Sequence, residues 1–326
     1  MIRSLVQFER DGVRGVAALH DDRTARIVRG ARSVVAMARE ALATRQGLSV
    51  LAEMAAGEPI DLSTVRLLTP IDHDDPAHVL VSGTGLTHLG SAEGRDKMHR
   101  AAAGGEMLTD SMRMFLMGEK GGKPVPGTVG VQPEWFYKGD GSVLVATGSP
   151  LTMPSFAQDG GEEPEITGIY LIDDSGRPTR LGFALGNEFS DHVVEKENYL
   201  WLAHSKLRQA AIGPELLLGP LPSDVHGVSR ILRDGKAVWE KPFLSGETNM
   251  SHSIANLEHH HFKYERFRRP GDLHVHFFGT ATLSFSDKFK TREGDIFEIA
   301  AEPFLLPLRN SLKQARDQGP IEVITL

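Results

Sequence analysis

The sequence predicts an α+β protein with a small N-terminal αβ cap domain, residues 1–72, and a larger domain, residues 76–326. Three observations support this prediction. Short apolar runs between turn residues open the chain, and one long helical pattern follows them. A polar segment rich in Asp and Pro, residues 72–76, then marks a boundary, after which β-like runs dominate.

The cap domain is predicted to be an antiparallel meander followed by a helix. Apolar residues at 5–8, 13–19 and 25–28 alternate with turn residues, which is typical of three short strands. From residue 31 to residue 56 the apolar side chains recur at helical spacing, and Gly47 is the expected break.

The larger domain is predicted to be a mixed β-roll or sandwich with peripheral helices. Gly, Pro and Asp separate its β-like runs, and two stretches have helical character. The predicted strands are residues 78–81, 143–146, 166–172, 183–185, 273–278 and 296–299, and the predicted helices are residues 198–211 and 250–261.

Composition excludes several classes of protein. Hydrophobic residues make up 40% of the 326 residues and charged residues 24%, which is ordinary for a globular protein. A net charge of -7 argues against nucleic acid or an anionic membrane as partner. The absence of cysteine excludes disulfides, thiolate nucleophiles and Cys-ligated zinc. Neither a signal-peptide core nor an apolar run of the roughly 20 residues that a membrane helix needs is found, so we expect a cytoplasmic protein.

Three acidic residues form the most informative pattern. Glu163 and Glu165 are two positions apart on a predicted strand, so their side chains point to the same face. A turn-rich segment leads into a second β-like run that ends at Glu188. A hairpin that places Leu181 opposite Ile172 would place Glu188 opposite Glu165, with Cβ atoms about 4.5–5.5 Å apart.

Converging carboxylates repel one another unless one is protonated or a cation lies between them. A hard, oxygen-preferring ion such as Mg²⁺, Mn²⁺ or Ca²⁺ would remove the repulsion. The alternative is that Glu163 and Glu165 are solvated acids on an exposed edge strand. The residues alone leave both interpretations open, because hairpin registers slip easily.

An ordered series of short motifs extends over residues 76–300. The motifs are, in order, Pro133-Glu134-Trp135-Phe136-Tyr137-Lys138-Gly139, Gly148-Ser149-Pro150, Met153-Pro154, Glu163-Pro164-Glu165, Gly186-Asn187-Glu188-Phe189-Ser190, Lys206, Ile212-Gly213-Pro214, Pro270-Gly271-Asp272-Leu273, Gly279-Thr280 and Arg292-Glu293-Gly294-Asp295-Ile296. Their order and spacing resemble the fumarylacetoacetate hydrolase superfamily, and the cap is most similar to that of its GguC-like branch. The resemblance implies that superfamily's fold, a divalent cation and a homodimer.

The resemblance also implies roles for individual residues. Glu163 and Glu165 match the two metal ligands of the family's E-x-E motif, and Glu188 matches the third acidic ligand, which is more often Asp. Lys206 matches a catalytic lysine near the metal and the substrate. The residues that match the substrate-binding positions are Thr280, Lys138, Phe136 and Ser190.

One family motif, N-Y-x-x-H-x-x-E, matches poorly. His88 stands at the expected place, but Thr84 and Gly85 replace Asn and Tyr, and the acid, Glu93, comes two positions late. In hydrolytic members this His and Glu are thought to activate water, so the disturbed motif favours a lyase. His88 and Glu93 are nevertheless the catalytic candidates of this segment, and the alternative is that His88 only packs the turn.

Members of this branch and its neighbours include 2-keto-3-deoxy-sugar-acid dehydratases and diketo-acid hydrolases. With the disturbed motif, the resemblance therefore implies a metal-dependent dehydratase of a small 2-keto acid, a 2-keto-3-deoxypentonate, with a 2-oxoglutarate semialdehyde as product. The cation would polarise the carbonyl and stabilise an enolate, with Lys206 and His88 as acid and base in unassigned order. Two alternatives are a hydrolase of C–C bonds in 2,4-diketo acids and a non-catalytic sugar-acid binding or regulatory protein.

Three consecutive histidines, His259, His260 and His261, could suggest a metal-binding tract. Consecutive residues of a helix point about 100° apart, so they cannot all face one ion. We expect a solvated or partner-facing helix there.

Overall fold

The computed structural model describes residues 1–90 and 109–326. Its strands are β1 (Ile2–Arg10), β2 (Val13–His20), β3 (Ala25–Val28), β4 (Ala56–Pro59), β5 (Arg66–Leu67), β6 (Val79–Gly83), β7 (Phe136–Asp140), β8 (Leu144–Val145), β9 (Leu151–Met153), β10 (Pro164–Ile172), β11 (Pro178–Asn187), β12 (Ala210–Ile212), β13 (Glu215–Leu217), β14 (Val225–Arg233), β15 (Lys236–Ser245), β16 (Leu273–Phe277), β17 (Ile296–Ala301) and β18 (Leu308–Gln314). Its α-helices are α1 (Val34–Thr44), α2 (Leu48–Met54), α3 (Asp110–Gly121), α4 (His192–Glu197), α5 (Leu202–Lys206) and α6 (Ile254–Phe262). Within these described residues every helix is too short or too polar to cross a membrane.

The strands form two sheets. The larger has the order β4-β3-β2-β1-β13-β11-β10-β16-β6-β7, with β5, β8 and β12 attached beside this path, and the smaller has the order β15-β14-β17-β18-β9. Parallel and antiparallel pairs both occur, which confirms the predicted mixed, strand-dominated α+β fold. Because β1 pairs directly with β13, the larger sheet runs through both parts of the chain. The division into a cap domain and a larger domain stays a prediction.

The N-terminal helical segment packs against one face of the larger sheet. Ser33 caps α1, its side chain accepting the Ala36 N–H at 3.3 Å, and Gly47 precedes α2 at the predicted break. The buried residues of α1 join side chains of β1, β2, β10 and β16 in one apolar core. This layer supports the strands that carry the acidic residues.

The smaller sheet packs toward another part of the larger one. Apolar side chains of the two sheets meet in a second core, as expected for a sandwich. Its members include Ile166, Phe183, Leu185, Ile231, Phe297 and Ile299.

The β10–β11 hairpin has a different register from the one predicted. Glu165 lies opposite Gly186, and Ile172 lies opposite Pro178. The predicted pairs Leu181 with Ile172 and Glu188 with Glu165 are therefore wrong. The connecting turn is shorter than assumed, since β11 already begins at Pro178.

At the acidic end of the hairpin, the predicted pairing register differs from the observed one by two residues. Because side chains alternate along a strand with a period of two, a shift by two keeps the side chains at this end of the hairpin on their predicted face. Glu188 therefore still faces the same side as Glu163 and Glu165, but it lies opposite Glu163, to whose carbonyl oxygen its N–H donates at 3.0 Å.

Three local predictions were incomplete or wrong. Residues 198–211 form only the short α5 after a 3₁₀ turn, because residues 210–212 pair with β11 and β8 instead. The β14–β15 hairpin was not predicted, although its turn, Asp234-Gly235, has the two positive φ angles, 51° and 74°, that this dipeptide favours. His260 and His261 are buried rather than solvated.

Candidate metal centre

Three buried carboxylates converge at one end of the β10–β11 hairpin. Glu163 directly precedes β10, Glu165 lies within it, and Glu188 directly follows β11. One carboxylate oxygen from each lies within 4.8 Å of those of the other two. The structure thus brings together all three residues predicted as metal ligands, and all are buried.

Two buried lysines contact these carboxylates. Lys206, at the end of α5, has its Nζ 2.6 Å from Glu163 Oε1 and 2.6 Å from Glu188 Oε2, and it donates to Ser190 Oγ at 2.9 Å. Lys138, on β7, has its Nζ 2.6 Å from Glu188 Oε1. Lys138 and Ser190 therefore contact Glu188 and Lys206, whereas they were predicted to bind substrate.

Burial and the carboxylates act on the lysines in opposite directions. Burial alone would lower the pKa of Lys206, but Glu163 and Glu188 raise it well above its usual range. Lys206 is therefore a cation in this arrangement. Burial lowers the pKa of Lys138 to about 8, although Glu188 opposes the shift.

Glu165 has the least compensated charge of the three acids. Its Oε2 accepts the Gly279 N–H at 2.7 Å. Burial, together with the neighbouring Glu163 and Glu188, raises the pKa of Glu165 well above its usual range. A divalent cation between the three carboxylates would place a positive charge beside Glu165 and offset the repulsion from Glu163 and Glu188. Carboxylate oxygens are the donors that Mg²⁺, Mn²⁺ and Ca²⁺ prefer. The residues present therefore fit such an ion.

A histidine that the sequence analysis did not single out supports Glu163. His192, the first residue of α4, lies 3.1 Å from Glu163 Oε1 through Nε2 and 3.1 Å from Asp159 Oδ2 through Nδ1. Burial alone would lower the pKa of His192, but hydrogen bonds to Asp159 and Glu163 raise it to about 10. The sequence shows His192 four residues after Glu188, but not its contact with Glu163, which depends on how the chain folds back.

A narrow cavity opens beside the carboxylates. The residues that line it are Thr84, Gly85, Leu86, Glu134, Phe136, Glu163, Glu165, Lys206, Gly279, Thr280, Ala281, Leu283 and Ser286. The predicted substrate-binding residues Phe136 and Thr280 are among them. The ring of Phe136 also lies 5.0 Å from the Lys206 Nζ, within the range of a cation–π contact.

The cavity contains two further polar groups that no prediction assigned. Glu134 is buried, and its Oε2 accepts the Tyr199 hydroxyl at 2.6 Å. Ser286 lies in the segment that follows β16, and it also lines the cavity. Glu134 belongs to the motif from Pro133 to Gly139, which could have drawn attention to it, whereas no motif in the sequence contains Ser286.

His88 lies close to the cavity but makes other contacts. Its Nδ1 is 3.0 Å from Thr87 Oγ1 and its Nε2 is 3.0 Å from Ser245 Oγ. Burial lowers the pKa of His88 to about 3, so the ring is neutral at neutral pH. Glu93 lies outside the described residues. The acid–base role of His88 and Glu93 stays a prediction.

Comparisons with known proteins place this geometry in context. No family model matches the chain. A curated protein of Haloferax volcanii, named "Probable 2-keto-3-deoxyxylonate dehydratase", is 27% identical over 176 residues, which cover 52% of this chain and 57% of that protein. The match thus spans little more than half the length of the curated relative.

Solved structures match nearly the whole chain. A 2-keto-3-deoxy-D-arabinonate dehydratase complexed with magnesium and 2,5-dioxopentanoate superposes with a TM-score of 0.70 at 19% identity, over 96% of this chain and all of that one. A fumarylacetoacetate hydrolase from Exiguobacterium antarcticum superposes with a TM-score of 0.59 at 16% identity, again over 96% of this chain and all of that one. The chain shares its fold with both of these structures. This result confirms the predicted fold, and the carboxylates lie at one end of its central hairpin.

Proposed function

We propose that the chain is a Mg²⁺-dependent dehydratase of a 2-keto-3-deoxy sugar acid, with a 2-keto-3-deoxypentonate as substrate. One observation carries the proposal: Glu163, Glu165 and Glu188 converge within 4.8 Å, and Glu163, Glu165 and Lys206 line a cavity. Buried like charges are retained only where a cation or a reaction compensates for their cost. The names of the dehydratase relatives supply the substrate class.

Glu163, Glu165 and Glu188 would hold the cation, with Mn²⁺ or Ca²⁺ as alternatives to Mg²⁺. A divalent ion bound there supplies Lewis acidity, which polarises a 2-keto group and acidifies the adjacent C3–H. His192 and Lys138 keep the carboxylates of Glu163 and Glu188 in place, with contacts of 3.1 Å and 2.6 Å. Such supporting contacts hold the ligand oxygens in the orientation that an ion requires.

The reaction requires one base and one acid in the cavity. Elimination removes a proton from C3, and the C4 hydroxyl leaves as water after it is protonated. A proton shift from C5 to C3 and ketonisation of the resulting enol then give 2,5-dioxopentanoate, which is 2-oxoglutarate semialdehyde. We propose that Glu134 is the base that removes the proton from C3, because this residue lines the cavity. We assign protonation of the hydroxyl to Lys206, which lines the same cavity as an ammonium group.

The cavity has a volume of about 20 Å³, room for about one water molecule, so its walls must move apart to admit a keto acid. The side chains on these walls suit substrate recognition. Thr280 offers a hydroxyl to a carboxylate or a sugar hydroxyl, and Phe136 limits the space beside Lys206. We propose both as substrate-binding residues. His88 keeps its candidacy as an acid or base only if its ring is released from Ser245, since both ring nitrogens have partners.

Incubation of the protein with 2-keto-3-deoxypentonates and Mg²⁺ tests the proposal. The expected result is 2,5-dioxopentanoate, detected by NMR, with loss of product when EDTA is added and recovery when Mg²⁺ is restored. Binding of the keto acid without turnover would instead support a sugar-acid binding or regulatory protein. Metal-independent turnover would contradict the role of the three carboxylates.

A second candidate is hydrolysis of a C–C bond in a 2,4-diketo acid. The likeness to a fumarylacetoacetate hydrolase keeps this candidate open. Two observations favour dehydration: the superposition on the dehydratase is better, with a TM-score of 0.70 against 0.59, and the segment around His88 departs from the hydrolytic motif. Cleavage of an acylpyruvate faster than any 2-keto-3-deoxypentonate would reverse this preference.

We further propose that the protein acts as a cytoplasmic homodimer, as the family resemblance implies. Light scattering coupled to size-exclusion chromatography tests the dimer, and a mass of about 36 kDa, that of one chain, would contradict it. Fractionation of cells that express the protein tests its location.

A further inference from the structure

A fourth glutamate next to the metal centre has a different set of contacts. Glu162 is fully buried and directly precedes Glu163. Its Oε1 accepts the Ser284 N–H at 2.9 Å, and its Oε2 accepts the Ser284 hydroxyl at 2.8 Å. Both carboxylate oxygens of Glu162 are therefore bound to one residue that lies 122 positions later. Among the described residues Glu162 is not part of the group that could hold a metal.

Ser284 belongs to the segment that forms one wall of the cavity. Residues 279–286 follow β16, and five of them line the cavity: Gly279, Thr280, Ala281, Leu283 and Ser286. Ser284 itself is buried behind this wall. The Gly279 N–H donates to Glu165 at 2.7 Å. Glu162 and Glu165 therefore bind this wall segment at two points, Ser284 and Gly279.

We propose that Glu162 is a positioning residue that holds residues 283–286 at the cavity and thereby sets where Leu283 and Ser286 meet the substrate. The inference rests on the proposed function for the identity of the substrate, but not for the contact itself. A segment without regular pairing depends on such bonds for its position, and a displacement of about 1 Å at an active site costs up to roughly 100-fold in rate. Glu162 acts through Ser284, without touching the substrate.

Three variants separate a hydrogen-bonding role from a role of the negative charge. Glu162→Ala removes both bonds to Ser284. Glu162→Gln retains both, because the amide oxygen can accept the Ser284 N–H while the amide N–H₂ donates to the Ser284 hydroxyl. Ser284→Ala removes one of the two bonds and leaves the backbone N–H in place.

The chain offers a matched control in Glu215. This residue is buried, and like Glu162 it accepts a serine hydroxyl, that of Ser4 at 2.7 Å, and a backbone N–H, that of Leu305 at 2.6 Å. Glu215 does not line the cavity described above. Glu215→Ala therefore carries the general cost of losing a buried acceptor, without any effect on the cavity wall.

For Glu162→Ala we expect the KM for the keto acid to rise about tenfold or more, with a smaller fall in kcat. Glu162→Gln should stay near wild type, and Ser284→Ala should fall between the two. Glu215→Ala should lower the melting temperature without raising KM. Equal damage in Glu162→Gln and Glu162→Ala would show that the charge matters rather than the position, and would overturn the inference. A wild-type KM in Glu162→Ala, or a raised KM in Glu215→Ala, would also overturn it.

Hydrogen exchange without substrate tests the contact independently of turnover. Amides of residues 283–286 should exchange faster in Glu162→Ala than in wild type, and at the wild-type rate in Glu215→Ala. Unchanged exchange in Glu162→Ala would overturn the positioning role. If the wild-type protein turns over no 2-keto-3-deoxypentonate, the proposed function fails while this measurement still decides the role of Glu162.

Discussion

Two buried polar clusters lie on opposite faces of the larger sheet, and they differ in charge. The metal centre contains Glu163, Glu165, Glu188 and two lysines. The histidine cluster, defined by His261, His274 and His276, lies behind the same strands. His276 pairs with Gly168 on β10. Side chains alternate between the two faces along a strand, so Gly168 and His276 face one side of the sheet while Thr167 and Glu165 face the other.

Neutral hydrogen bonds connect the histidine cluster to its surroundings, although His274 Nε2 and His276 Nε2 have no hydrogen-bond partner among the described residues. The Trp135 Nε1–H donates to His261 Nδ1 at 3.2 Å, which leaves the proton of a neutral His261 on Nε2, and this nitrogen donates to His274 Nδ1 at 2.9 Å. The Ser82 hydroxyl lies 2.8 Å from His276 Nδ1. Burial lowers the pKa of His274 to about 4 and that of His276 to about 3, so both are uncharged near neutral pH.

The comparison shows that buried titratable residues do not by themselves mark a functional site. His261 and His274 are neutral and hydrogen-bonded to each other, and His276 is neutral and hydrogen-bonded to Ser82. In the metal centre, two lysines and His192 bind Glu163 and Glu188, Glu165 accepts the Gly279 N–H, and Glu163 and Glu165 line a cavity. Buried acids with shifted pKa values that line a cavity are therefore the feature that indicates a functional site here. Four predictions test this distinction.

The largest expected effect is that of Glu165→Gln. Removing one ligand charge while keeping the shape should lower kcat at least about 1,000-fold, because the cation is no longer held and the 2-keto group is no longer polarised. The fold should persist, since the neutral amide removes repulsion from Glu163 and Glu188. Activity and circular dichroism are the measurements. A rate close to wild type would contradict the metal centre.

Lys206→Met should affect stability as well as activity. Loss of the ammonium leaves Glu163 and Glu188 buried with less compensation, which costs about 3–5 kcal/mol when one partner of a buried ion pair is removed. We expect a lower free energy of unfolding in EDTA and a partial recovery with Mg²⁺, measured by urea denaturation. Equal stability of Lys206→Met and wild type in EDTA would show that the lysine is not needed to compensate the acids.

Metal binding should stabilise the wild type but not Glu165→Gln. A ligand at 100 times its Kd adds about 2.7 kcal/mol to the free energy of unfolding. Mg²⁺ titrations followed by thermal melting should therefore raise the Tm of the wild type and of His276→Asn alike. If Mg²⁺ stabilises Glu165→Gln to the same extent, the ion binds elsewhere.

The histidine cluster should have the smallest effect, and it should depend on pH. The pKa of His276 is about 3 when folded and about 6.5 when unfolded, so the neutral ring contributes stability above pH 6.5 that is lost as the pH falls toward 3. His276→Asn should reduce the slope of the unfolding free energy by up to about 1.4 kcal/mol per pH unit between these values. Denaturant titrations at several pH values measure the slope. An unchanged slope would mean that His276 is not buried and neutral.

The hairpin shows how much of the site the sequence could predict. Its register was predicted wrongly by two residues, yet the three acids converge as expected. The prediction of a shared face needs only the alternation of side chains along a strand, which an even shift preserves. The register at the acidic end depends on the length of the turn before Pro178 and on the irregular pairing between Ile169 and Tyr170, which reduces the shift from three residues at the turn to two. Nothing in the local sequence determined either feature.

The sequence by itself determined the strand-dominated fold class, the common face of Glu163, Glu165 and Glu188, and the motif order that led to Lys206, Phe136 and Thr280. Only the tertiary structure decided that His192 binds Glu163, that Glu134 enters the cavity and that His261 is buried. The physical reason is one of range. Periodicity and turn preference act over a few residues, whereas burial, ion pairing and shifts in pKa depend on groups brought together from distant parts of the chain.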